Sequence, residues 1–205
     1  MDATQTELLE QAKNNAMMDV RVSMPARIVS FDPATKTASV EIGLKMVNAD
    51  DTQSDYPPLV DCPCLFTRGG GFHLVHPYKA GDKGIVLFSD RCFDGWFQAG
   101  QVAPPMDFRI HSMSDAYFIG GADCLDDVSP IIGNAMFIGK DDNSAGLQIN
   151  SDGSLILKGA SLQIEPPVTT NSTITSIGQI TANGKPLDGH SHGGVERGSS
   201  NTDPL

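Results

Sequence analysis

The sequence predicts a mainly β protein, and three observations carry the prediction. Of its 205 residues, 21 are Gly and 13 are Pro while only 19% are charged, a mix that suits short strands and tight turns better than helices. From about residue 20, apolar and polar residues alternate in short runs separated by turn-forming clusters. From about residue 145 the alternation persists, but the aromatic residues are gone. In order, the chain reads as a helical arm over 1–19, a small barrel over 20–105, a transition segment over 106–144, a narrow strand-rich stretch over 145–181 and a C-terminal apex over 182–205.

The arm is the exception to the β pattern. Thr4 and Glu7 have the T-x-x-E spacing of a capping box, in which each side chain serves a backbone N–H of the first turn. Leu8, Leu9, Ala12, Ala16 and Met17 then recur at helical intervals. An amphipathic helix of about 14 residues is too short to be stable alone. It is expected to pack on the domain behind it or on a neighbouring chain.

Over residues 20–105 the period changes to two. "PARIVSFD", "KTASVEIGLKMV", "LVDCPCLF" and "DKGIVLFSD" are strand-like runs, divided by "PAT", "NADDTQSDYPP", "RGGG" and "YKAGD". Four or five such strands suit a small closed barrel of the OB type, which hides most strand edges. Few basic or aromatic residues fall on these strand faces, so the barrel is not expected to take nucleic acid. Residues 106–144 contain strand-like pieces between Pro, Gly and Asp and read as the way out of the barrel.

Residues 145–181 differ again. Leu147 and Ile149, Leu155 and Leu157, Leu162 and Ile164, then Val168, Ile174 and Ile180 place apolar side chains on alternate positions, with "SDG" at 151–153 as a turn. A thin strip of aliphatic side chains cannot bury enough area within one chain to offset the ordering of some forty residues. The strip needs copies of itself. Identical chains intertwined about a common axis would bury every row and close every strand edge, which would otherwise invite aggregation.

Charge and cysteine usage narrow the function classes. A formal charge of −11 argues against nucleic-acid binding, which requires a basic surface. No run approaches the roughly 20 apolar residues of a membrane span. The first 20 residues lack the basic and apolar regions of a secretory signal, so folding in a cytoplasm is expected. Cys62, Cys64, Cys92 and Cys124 then read as reduced, buried thiols. "CPC" at 62–64 lacks a second pair at zinc-like spacing.

The feature with most chemistry is "GHSHGG" at 189–194. His190 and His192 form an H-x-H pair, and imidazole is the commonest metal ligand. Two ligands do not complete a site, and beyond them only Glu196 and Asp203 could add more. Three intertwined chains would supply six imidazoles. In an extended segment residues i and i+2 point to the same side, so both rings of each chain face the axis and Ser191 faces away. Two stacked triangles of imidazole make an octahedral site for a first-row divalent ion such as Fe²⁺, unlike the four-coordinate zinc of structural sites. Gly189, Gly193 and Gly194 let three backbones crowd the ion. With every position filled, such a metal staples rather than catalyses.

At this point two segments carry a resemblance. "ITANGKPLDGHSHGG", residues 180–194, resembles the apex of the central spike proteins of contractile phage tails, which end in an NGK-x-L…H-x-H signature and a Gly/Ser-rich tail. "HPYKAGDKGIVLFSDRCFDGWF", residues 76–97, resembles a strand pair of the OB domain of the same spikes. Pro186 departs from the aliphatic residue frequent in relatives. The resemblance implies a homotrimer at the baseplate tip of the virion, assembled in the host cytoplasm. Its barrels would meet the baseplate hub and tail tube, and its triple-stranded β-helix would taper to an apex holding one iron ion shared by three chains through His190 and His192. Contraction of the sheath would drive it through the host outer membrane. No nucleic acid and no small-molecule substrate enter this reading.

An enzyme is the less favoured class. There is no G-x-S-x-G and no phosphate-binding loop, and the scattered acids nominate no lysozyme-like pair. His73, His76 and His111 lie upstream, and the close pair His73 and His76 of "HLVH" reads as polar residues of the barrel or its loops. A metal-dependent enzyme or a monomeric metal carrier using the C-terminal histidines is the alternative.

Overall fold

The computed structural model describes residues 4–18, 20–48 and 50–187. The chain divides into two compact units, Met1–Gly133 and Asn134–Leu205. Both are built mainly from strands.

The first unit begins with helix α1, Gln5–Met18. The capping box forms as expected: the Thr4 and Glu7 side chains each accept from the other's backbone N–H, and the two side chains hydrogen-bond at 2.9 Å. The apolar residues Leu8, Leu9 and Met17 remain exposed. Among the described residues nothing covers the apolar side of the arm.

Nine strands follow: β1 Ser23–Asp32, β2 Thr37–Ile42, β3 Lys45–Val47, β4 Gln53–Asp55, β5 Leu59–Pro63, β6 Thr67–Gly69, β7 Phe72–Leu74, β8 Lys83–Phe88 and β9 Ala116–Gly120. Five of them form one sheet in the order β5-β2-β1-β8-β9, all neighbours antiparallel. The sheet curls into a half-barrel. Its two edges meet through one parallel bridge, Cys64 to Phe118, where the Leu65 N–H donates to the Phe118 carbonyl at 2.9 Å. β3–β4 and β6–β7 are separate two-stranded hairpins inserted before and after β5.

The core lies inside this curl. Alternation in β2 and β8 sends Val40, Ile42, Val86 and Phe88 inward, against Ala26, Ile28, Leu59 and Phe118. Phe31, Phe66 and Tyr78 pack on its rim with edge-on and tilted ring contacts. The segment "YKAGDKG" explains itself in this setting. Gly81 takes φ +97, Asp82 Oδ2 accepts from the Lys79 N–H at 2.8 Å, and a Cβ on Gly84 would lie 2.2 Å from the Ile119 carbonyl. Gly84 faces Gly120 across the ladder, with the Phe118 ring against one and the Tyr78 ring against the other.

Two sequence expectations change here. The sheet is completed by β9, which lies beyond residue 105 in the stretch read as a transition. "AYFIG" was masked in the sequence by its neighbours: an irregular run of Asp, Ser and Met precedes it and long-range pairing with β8 fixes it. Residues 94–97, read within a strand pair, open helix α2, Asp94–Ala99, which ends at Gly100 in the left-handed conformation.

The second unit holds a three-stranded antiparallel sheet: β10 Ala135–Gly139, β11 Gly146–Asn150 and β12 Leu155–Lys158. Residues 151–153 form the expected turn, with Asp152 Oδ1 accepting from the Ser154 N–H at 2.9 Å. Asp142 and Ser144 repeat that device between β10 and β11. Residues 159–180 contain bends but no strand. The hairpin β13 Thr181–Ala182 and β14 Lys185–Pro186 follows, its Asn183-Gly184 turn with both residues at positive φ, the pattern of a type I′ turn.

Candidate functional site

The residues expected to bind metal, His190 and His192, lie outside the described residues, as do Gly189, Ser191, Glu196 and Asp203. The approach to them is described up to Leu187. The "NGK" of the resemblance is the Asn183-Gly184 turn and the first residue of β14, and Leu187 N–H returns to the Ile180 carbonyl at 2.8 Å. Pro186 pairs in register with Thr181 in a strand of two residues, where a missing N–H costs little.

What the second unit presents is an apolar face without cover among the described residues. Cross-strand register places Met136 opposite Ile149 and Ile149 opposite Leu155; beside them Ile138, Leu147 and Leu157 form a second row. Directly opposed residues share a face of the sheet. Six aliphatic and thioether side chains therefore stand on one side of three strands. Leu155 and Leu157 are 66% and 62% exposed. An open groove lined by Leu157, Leu162 and Gly146 continues the surface, and Leu162, Ile164, Val168, Ile174 and Ile180 beyond it are exposed as well. On the opposite face the Phe137 ring covers the Gly139–Gly146 pair, Lys158 Nζ sits 5.6 Å from that ring, and Ile156 remains exposed. Patches of this size mark interaction surfaces.

The first unit contains one group of side chains close enough to suggest a metal site among the described residues: Cys92, Asp94 and Asp115. Its geometry argues for a different occupant. The Arg109 guanidinium donates to Asp115 through Nε at 2.5 Å and Nη2 at 2.9 Å, and to Asp94 through Nη2 at 2.6 Å. Asp115 is fully buried. The fork satisfies both carboxylates, and its hydrogen bond holds the Asp94 carboxyl below the usual range and raises the guanidinium further. This is a structural clamp that ties the residue before β9 to the start of α2, with the guanidinium occupying the place a cation would take. No pattern in the sequence announced it, because its members lie up to 21 residues apart, from Asp94 to Asp115.

The cysteines divide. Cys62, Cys64 and Cys92 are buried free thiols, as expected, and burial pushes Cys62 and Cys64 up to about 12 and about 11. Cys124 is instead exposed, 3.1 Å from Lys83 Nζ, whose hydrogen bond lowers its pKa. The upstream histidines lie where polar residues of a barrel would. His111 Nδ1 lies 3.0 Å from the Arg21 carbonyl, His76 stacks at a tilt beside Phe66 and Tyr78, and His73 pairs with Arg68 in the β6–β7 hairpin. Among the described residues no helix is long and apolar enough to cross a membrane.

No curated protein matches the chain. A family model does match, over residues 24–121. That span starts one residue into β1 and stops one residue after β9, so it coincides with the curled sheet and its hairpins. Over those residues the chain is similar to the family described as phage protein Gp138 N-terminal domain, which supports a virion-associated structural protein of the phage tail or baseplate type.

Proposed function

We propose that the protein is the central spike of a contractile tail baseplate, a homotrimer that caps the tail tube and pierces the host outer membrane when the sheath contracts. The observation that carries this reading is the uncovered apolar face of β10–β12 and the exposed aliphatic residues that follow it. Each such side chain gains about 1.5–3 kcal/mol when buried, and three identical chains wound together would bury all of them around one axis. The phage-family likeness of residues 24–121 supports the same assignment from the other end of the chain. The strand order β5-β2-β1-β8-β9 and its parallel closing bridge support an OB-type barrel as the part that meets the hub and tail tube.

At the tip, His190 and His192 of each chain would hold one shared iron ion. The donor set fits that metal: six neutral imidazoles make an octahedral nitrogen site and leave no open position for substrate. The metal would keep three chain ends from fraying in lipid, where each unpaired backbone group costs several kcal/mol. Chemistry on a substrate plays no part; the work is mechanical.

The test is localisation on intact virions. Gold-labelled antibody against the first unit should decorate the distal end of the tail, one cluster per particle. Label on the head or along the sheath would contradict the spike assignment.

A further inference from the structure

The two hairpins inserted around β5 carry opposite charge, and this difference has a use. Residues 62–81 hold Arg68, Lys79, His73 and His76 with no Asp or Glu, in a chain whose formal charge is −11. Register puts Arg68 and His73 on one face of the β6–β7 hairpin and Thr67, Gly69, Phe72 and Leu74 on the other. Phe72 is 83% exposed, next to the Gly70-Gly71 tip. The β3–β4 hairpin, residues 45–55, has three carboxylates, Asp50, Asp51 and Asp55, against the single Lys45. Its Val47 is exposed beside that acidic tip. Each hairpin thus offers charge of one sign and exposed apolar side chains, Phe72 and Leu74 on the first and Val47 on the second.

We propose that the β6–β7 hairpin of one copy docks tip-first on the β3–β4 hairpin of a second copy, so that Arg68 on one face of the tip reaches Asp50 and Asp51 while Phe72 on the other packs on Val47. The contact is head-to-tail, because two different surfaces of the same chain meet. Such contacts close into a ring when the rotation between copies allows. Closure at three rests on the trimeric spike proposed above; the pairing of the hairpins does not. The complementary charges set the register of the first units, and desolvation of Phe72 and Val47 holds them together.

The experiment uses the full chain carrying Cys124→Ser to remove the exposed native thiol. Phe72→Cys and Val47→Cys are introduced together and separately, and mild diamide oxidation is read on non-reducing gels. Covalent multimers are expected only with both new cysteines. Arg68→Glu should lower their yield about tenfold, equivalent to about 1.4 kcal/mol, because it brings like charges together. Adding Asp51→Lys should restore it; the left-handed backbone at 51 (φ +62) is one that Lys36 already adopts (φ +58). Multimers no more abundant than in the single-cysteine chains, from protein whose light-scattering mass is oligomeric, would overturn the docking and leave the trimer standing. A monomeric mass would overturn both. Phe72-dependent binding to anionic vesicles without cross-linking would overturn it in favour of a lipid surface.

Discussion

Val86 and Phe88 on β8, and Leu155 and Leu157 on β12, have the same alternating pattern and opposite fates. The first pair is 0% and 8% exposed; the second is 66% and 62% exposed. The difference lies in what each sheet has to close upon. In the first unit five strands curl until β5 and β9 meet, aliphatic side chains with Phe88 and Phe118 fill the interior, and Phe31, Phe66 and Tyr78 close its rim. In the second, three short strands have no layer behind them among the described residues, and no aromatic side chain stands on their apolar face. Alternation therefore specifies a face but not its cover. One region carries its own core and the other awaits one.

Breaking the first region should act within a single chain. Arg109→Ala leaves Asp115 buried and unpaired and should cost about 3–5 kcal/mol, independent of protein concentration, as read by urea unfolding. Breaking the second should act only through assembly. Leu157→Ala should cost about 2–5 kcal/mol where copies cover the face and within about 0.5 kcal/mol where they do not; unfolding midpoints measured across a hundredfold range of concentration decide between them. The arm sharpens the contrast on a smaller scale. Thr4→Ala removes the capping box and should cost about 1 kcal/mol of helix stability, seen as reduced helical circular dichroism.

Acid should separate the regions more gently. The Arg109 hydrogen bond depresses the Asp94 carboxyl in the folded chain, so its contribution is present above the unfolded value near pH 4 and is lost as pH falls through the lower folded value. Below about pH 4 the first unit should lose stability, and Asp94→Asn should flatten that dependence. In the second unit Asp142 and Asp152, held low by hydrogen bonds from Ser144 and Ser154, should weaken their turns as the pH falls, and Asp94→Asn should leave that response unchanged.

The sequence made parts of this arrangement visible for physical reasons. The capping box, the alternating rows of 147–157 and the Ser151–Gly153 turn depend on neighbours a few residues away, and they stand as expected. β9 and the Arg109 clamp depend on partners brought together by the fold. Leu65 and Phe118 or Asp94 and Asp115 leave no periodic trace, so the barrel boundary at 105 fell short of the sheet's last strand. α2 escaped because six residues are too few to establish a helical period. Cys124 looked like its three buried counterparts because composition does not report exposure. His190 and His192 stand on sequence pattern and resemblance, with the Asn183-Gly184 hairpin leading toward them.

The central claim is that copies of this chain cover the apolar face and share one metal at its end. The direct measurement is metal content per chain by elemental mass spectrometry, with light-scattering mass taken from the same gel-filtration peak. The account predicts a trimer with one iron per three chains, and loss of the iron in His190→Ala/His192→Ala. A monomer with one metal per chain would contradict it and return the carrier or enzyme reading to the front.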